Sequence, residues 1–441
     1  MFLFFRSLII LIIFTSQAWA IDRIYISKGV EKKTTIAINH FKNLSDKKSF
    51  HKTQTLQENI IKVISNDLTH CSLFKVVPSN AFIEERKGVN HTPHFISWKQ
   101  VGAEILLNSE IKPINKFTFS VDFILWDVLM GQQIAHGSIK ANIDSWRKVA
   151  HKISNQIYKA ITGDAGYFET RVSYISEIKV KRASNTKRLA IMDYDGYNHY
   201  FLTDGKDIVL TPRLSPDLKY VLYVSYESKK PKVYIKSLIT GNQTLIGAFP
   251  SMSFAPRFSP CGKKIVLSLA NKGITDIFEV DLATKKVIQL TSNVGINTSP
   301  SYSPDGKLIY FNSDRSGGRH LYVMNVDGSD VQRISFGKGS YAIPSCSPNG
   351  KYISFTKIVP GEGFFIGVMK TDGSDEKLVA NGYLVEGQTW APNSRFLMFA
   401  KSIRTWPKKD ITTKLYMVDV DGNNEQLIVT PNEASDPEWS N

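Results

Sequence analysis

The phrase "PSYSPDGKLIYFNSD" at residues 300–314 recurs at a fixed distance, and that period constrains the fold more than any other feature of the chain. It returns as "PRLSPDLKYVLYVSY" from 212, "PRFSPCGKKIVLSLA" from 256, "PSCSPNGKYISFTKI" from 344 and "QTWAPNSRFLMFAKS" from 388, so successive starts lie 44 residues apart. A truncated copy, "PEWSN", begins at 437 after an interval of 49, and the five extra residues fall in the loop 402–413. A second phrase follows the first, as in "HLYVMNVDGSDVQRIS" at 320–335 and "KLYMVDVDGNNEQLIV" at 414–429. It consists of two short apolar runs joined by Asp-Gly or a similar pair, the pattern of a tight hairpin. Each period therefore holds four strands. Four strands in about 44 residues predict a propeller blade, since helical repeats of that length would show a 3.6-residue period.

In the Ser-Pro-Asp-Gly turn, proline presets φ and glycine takes a position where φ can be positive. The position held by Leu214, Phe258, Tyr302, Cys346, Trp390 and Trp439 is apolar in every copy, as an inner strand wedged between blades requires. Residues 171–203 supply the second, third and fourth strands of a blade without its first, and "PEWSN" supplies a first strand alone. Joined, they close a sixth blade and remove the exposed edges of a linear array. The expectation is an all-β six-bladed β-propeller over 171–441.

The front of the chain lacks the repeat. Residues 34–163 read as an α/β domain: strands at "TTIAINHF", "FKVVP", "AEILLNSEI", "FTFSVDFILWDV" and "QQIAHGSIKAN", with amphipathic helices at 55–71 and 145–162. Leu56, Ile60, Val63, Ile64 and Leu68 share one face of the first helix. Residues 164–170 read as the linker, with "GDAG" at 163–166 as its hinge. Residues 21–33 are either an edge strand or a mobile arm that docks on its own propeller or on a partner. Residues 1–20, with Arg6 ahead of an apolar run and Ala18-Trp19-Ala20 at the end, read as a cleavable signal peptide. The alternative, an uncleaved anchor, needs an apolar run of roughly 20 residues.

A formal charge of +15 admits nucleic acid, anionic lipid or an acidic partner. An exported protein rarely meets nucleic acid, and the lysines are scattered, so no nucleic-acid partner and no membrane insertion are expected. Three cysteines, Cys71, Cys261 and Cys346, cannot all pair internally and stand in no zinc-ligand spacing. No nucleophile elbow, zinc helix or P-loop occurs, so no catalytic residue and no cofactor is assigned. His91 and His94 lack a third ligand nearby, and the calcium-like "DVDGNN" at 419–424 repeats a turn found elsewhere, so no metal is assigned either.

Propellers bind mostly through loops at the channel mouths. The stretches "SMSFA" at 251–255, "GINTS" at 295–299 and "GSYAI" at 339–343 lead into inner strands and mix apolar with small polar residues. Met252, Phe254, Ala255, Asn297, Thr298, Tyr341 and Ile343 are the candidate partner-binding residues, inter-blade packing being the other reading of each.

The order of leader, α/β domain and six-bladed ring, with "SPDGK" turns, "MDYDGYNHYFLT" at 192–203 and the terminal P-x-W-S, resembles the TolB family of the Tol-Pal system over essentially the whole chain. The resemblance implies a non-enzymatic adaptor in the Gram-negative periplasm. It implies that the peptidoglycan-associated lipoprotein Pal binds at the channel mouth. It further implies that the arm, beginning Ile21, Asp22, Arg23, Ile24, Tyr25 and Ile26, packs on the body or is released to TolA, other envelope proteins being further partners. Outer-membrane integrity and constriction at division are the implied roles. The chain departs from the pattern at Cys261-Gly262, Asn349 and Asn393-Ser394, which should weaken turns, and loop 251–255 is more apolar. Two other readings are an exported propeller hydrolase, for which the front domain is too small, and a peptidoglycan or carbohydrate binder.

Overall fold

The computed structural model describes residues 33–45, 50–84, 88–179, 185–227, 230–247, 249, 252–292, 294–404 and 410–440. The expected leader and all of the 21–33 arm except Lys33 lie outside the described residues.

In the front domain the strands are β1 (Thr34–Ile38), β2 (Lys42–Asn43), β3 (Phe74–Val76), β4 (Ile105–Pro113), β5 (Thr118–Asp127) and β6 (Gln132–Asn142), and the helices α1 (Phe50–His70), α2 (Phe95–Gln100) and α3 (Trp146–Thr162). The sheet runs β3-β1-β4-β5-β6, with β2 beside β4; β3, β1 and β4 are parallel, and β4, β5 and β6 antiparallel. Strand alternation assigns its two faces. Ile36, Ile38, Ile105 and Leu107 pack with α1 and α3, whereas Ala37 and Leu106 pack with Trp98 of α2 and Val128. Helix α1 begins at Phe50, earlier than its apolar pattern, because the first turn presents exposed His51 and Lys52 and carries no periodic signal. Helix α2 is too short for its period to be read in sequence.

The propeller consists of six four-stranded sheets. Blades 1 to 5 run consecutively from Val209–Leu214, Met252–Phe258, Asn297–Tyr302, Ser340–Cys346 and Leu384–Trp390 as inner strands. Blade 6 takes its inner strand from Glu433–Trp439 and the others from Arg171–Ile178, Thr186–Asp193 and Tyr200–Phe201. The ring is closed by the chain ends, in the register Trp439↔Val172 and Glu433↔Glu177.

Each Ser-Pro turn is held by one side chain. Asp305 Oδ1 accepts from Ser303 Oγ at 2.6 Å and from the Lys307 N–H at 3.1 Å. Asn349 reproduces the pair with Ser347 and Lys351, whereas at Cys261 the weaker acceptor Sγ takes that place, 3.3 Å from Ser259 Oγ and beside the Lys263 N–H.

The two parts share one core. Leu68 and Ile157 from the front helices lie in the same apolar cluster as Tyr194, Phe396, Met398 and Trp439 from blades 5 and 6. The 164–170 segment is part of it: Tyr167 and Phe168 are fully buried, the Tyr167 ring standing 5.7 Å from Trp439 and 5.2 Å from Phe396. Polar contacts ring this core. Tyr194 Oη donates to the buried Asp67 at 2.6 Å, His151 Nδ1 pairs with the same carboxylate at 2.9 Å, and Arg147 pairs with Asp195. The three cysteines are free thiols.

Candidate functional site

Every inner strand breaks its pairing at the same place, between Leu210 and Arg213, Phe254 and Arg257, Thr298 and Ser301, Ala342 and Ser345, Glu386 and Thr389, and Ser435 and Glu438. At each break one residue is left-handed: Thr211, Ala255, Ser299, Ile343, Gly387 and Asp436, with φ from 49° to 67°. Proline follows five of the six, and the lack of an N–H suits a position where the ladder is interrupted. A left-handed residue other than glycine costs about 1–2 kcal/mol, and β-branched Thr211 and Ile343 stand at the unfavourable end. The bulges therefore form a strained ring around the channel, held by the blades behind them.

Side chains link this ring from blade to blade. Asn312 Nδ2 donates to Thr298 Oγ1 at 2.6 Å and its Oδ1 accepts from the Ile343 N–H at 3.3 Å; Gln388 Nε2 donates to the Ile343 carbonyl at 2.5 Å. Asn297 is fully buried, donating to Asp276 at 3.2 Å and accepting from Arg315 at 2.8 Å. Burial lowers the Arg315 guanidinium from its ordinary value. Tyr341 is also fully buried; its hydroxyl donates to Glu376 at 2.7 Å, and Lys357 Nζ stands 4.7 Å above its ring. Burial raises the Tyr341 phenol.

The rim at the starts of the inner strands is apolar and exposed. Ile208, Met252 and Ile296, each 44 residues from the next, are 46%, 47% and 45% exposed, and Tyr383 ahead of the blade 5 strand is 54% exposed. At the opposite end the channel opens into a cavity of about 320 Å³ lined by Arg213, Arg257, Ser301, Ser345, Thr389 and Glu438 and rimmed by the prolines of the Ser-Pro turns.

One group of metal-capable side chains occurs among the described residues: Asp67, His151 and Asp195 place ligand atoms within 4.8 Å of one another. They are already engaged, Asp67 by His151 and Tyr194 and Asp195 by Arg147, and serve as the ion-pair seam between the two parts. His94 pairs with Ser97 at 2.8 Å.

Residues 22–134 match the family described as the TolB amino-terminal domain, and residues 158–441 match the TolB beta propeller domain. The chain belongs to the TolB family. Similar curated proteins include the Tol-Pal system protein TolB of Rickettsia africae, 48% identical over 440 residues, and that of Rickettsia bellii, 48% identical over 443; each alignment covers 98% of both chains. The crystal structure of TolB from Acinetobacter baumannii superposes with a TM-score of 0.81 at 26% identity, covering 94% of this chain and 98% of that one.

In this TolB family member the seven mouth residues named from sequence divide by environment. Met252 is exposed on the rim, and Phe254, Ala255, Thr298 and Ile343 are half-buried on or beside the bulges, whereas Asn297 and Tyr341 lie inside the blades. Sequence reasoning missed Ile208, Ile296 and Tyr383 as rim residues, although Ile296 lies in the 295–299 loop it named. The signal for Ile208 was present, since it precedes Met252 by one repeat. The bulges had a signal too, a proline after a residue with no other claim to a turn, repeated in five of the six blades.

Proposed function

We propose that this chain is a non-enzymatic adaptor of the Tol-Pal system in the periplasm, holding the lipoprotein Pal at the rim of Ile208, Met252, Ile296 and Tyr383. The observation that carries the reading is the pairing of an exposed apolar rim with a strained, side-chain-braced ring beneath it. Apolar side chains arranged around a mouth suit a protein surface, and a pre-formed ring reduces the ordering cost of docking. Family membership supplies the system in which the adaptor works. The 21–33 arm is assigned to TolA, and the complex to outer-membrane integrity and constriction at division. Binding of Pal at the mouth is coupled to binding of TolA, and the coupling is reciprocal in affinity.

Affinity capture from an envelope extract tests the reading. The full chain should recover a peptidoglycan-associated lipoprotein, and a Met252→Asp, Ile296→Asp variant should recover at least about tenfold less, as burial of two charges at an interface costs well over 1.4 kcal/mol. Equal recovery by both chains, or no lipoprotein with either, would reject the rim as the docking surface.

A further inference from the structure

The cavity at the far end of the channel, away from the apolar rim, has a charge pattern that the adaptor reading does not use. Beyond the bulge each inner strand turns one side chain toward the axis, and these six are Arg213, Arg257, Ser301, Ser345, Thr389 and Glu438. Two guanidiniums thus face one carboxylate. Arg257 Nη1 holds Glu438 at 2.9 and 3.1 Å, and Arg213 Nη1 stands 3.5 Å from the same carboxylate while donating to the Pro212 carbonyl at 2.6 Å. A guanidinium has five N–H groups in a planar fork, so one shared carboxylate leaves much of this donor set unfilled. Arg213 is only 7% exposed, and its Nε is buried without a hydrogen-bond partner. Two further acids, Asp436 and Glu386, stand on the bulges outside the cavity lining; Asp436 lies within electrostatic reach of Arg213, and burial raises both carboxyls above their ordinary values, which favours their neutral forms.

We propose that this cavity binds a small oxyanion, phosphate or carboxylate, between Arg213 and Arg257. Within the lining two guanidiniums outnumber one carboxylate, which favours an anion, and the paired forks suit two coplanar oxygens. The hydroxyls of Ser301 and Ser345 on the other side of the cavity supply donors to the remaining oxygens, and its volume of about 320 Å³ excludes anything much larger than a small metabolite or a single side chain. Burial, then repulsion from Arg213, pulls the Arg257 guanidinium down to about 10, which is the effect an anion placed between the pair would reverse.

Titration calorimetry on the full chain, at constant ionic strength with chloride as reference, tests this with inorganic phosphate and acetate as probes. One saturable site is expected for at least one of them, the stronger identifying the preferred oxyanion. Arg213→Gln should weaken it at least about tenfold. Glu438→Gln should tighten it about threefold or more, because the internal carboxylate competes for the same donors. Glu438→Gln also removes a counter-charge and lowers the unfolding midpoint, and a purely structural ion pair would give that loss without the gain in affinity. Absence of saturable heat with both anions up to about 50 mM, or affinities unchanged in both variants, would overturn the proposal.

Discussion

Removing residues 437–441 should open the propeller, and the size of the effect follows from what this segment packs against and bonds to. Trp439 is 2% exposed, and losing so large a buried side chain costs about 3–5 kcal/mol. Its indole N–H donates to Thr170 Oγ1 at 2.7 Å and its backbone N–H to Thr389 Oγ1 at 3.1 Å; Ser440 exchanges two 2.8 Å bonds with Arg171. Each such bond is worth about 1 kcal/mol net. Loss of Glu438 leaves Arg213 and Arg257 facing each other, and breaking a buried pair costs about 3–5 kcal/mol. The total, about 10–14 kcal/mol, rivals the whole stability of a typical domain, about 5–15 kcal/mol. Urea unfolding followed by far-UV circular dichroism should show the truncated chain with little or no native baseline. Trp439→Phe, which keeps most of the packing, should retain a cooperative transition at a lower midpoint. An unchanged midpoint in the truncated chain would show that the terminal strand does not close the ring.

The Asp67–His151 pair makes stability depend on pH. Burial lowers the His151 imidazole, but the hydrogen bond and charge of Asp67, with Asp195 behind it, outweigh that and leave it above its ordinary value. A raised value means the stabilisation is complete below about 6.5 and is lost as pH rises through the folded-state value. Urea midpoints of the wild-type chain should therefore fall relative to His151→Gln from about pH 6.5 upward, and a rise over that window would contradict the pairing. Two glycines separate strain from collision. Gly306 has φ +71°, and a Cβ added there would meet only Pro260, at 3.8 Å, so Gly306→Ala should cost about 1–2 kcal/mol. Gly373 has φ +88°, and a Cβ there would stand 1.9 Å from the Ile334 carbonyl of the preceding blade, so thermal melts should show Gly373→Ala lowering stability by clearly more. Cys261→Asp should raise stability by about 0.5–1 kcal/mol in denaturant titration by restoring the bonds that Asp305 makes in its own turn, and a loss would show that this turn tolerates no carboxylate.

Much of the architecture was legible because a blade is a local object. The 44-residue spacing, the Ser-Pro turns and the Asp-Gly hairpins specify four strands by short-range alternation and turn chemistry, and the unpaired "PEWSN" fixed how the ring closes. The front helices were legible where an apolar face repeats, as at Leu56, Ile60 and Ile64, and illegible where it does not, as in α2. For the mouth, sequence found the right loops but could not divide exposed Met252 from buried Tyr341, since both are large side chains beside a strand start.

The sequence by itself determined the repeat, the number of blades and the chain ends that complete the sixth, because those follow from residue order and turn geometry. Only the tertiary structure decided which residues meet across long separations. It seated Tyr167 against Trp439, set Asp67 between His151 and Tyr194, and brought Arg213 and Arg257 to the carboxylate of Glu438. The reason is that these partners lie on different strands or in different domains, where position depends on how the ring closes and not on any local preference of the chain.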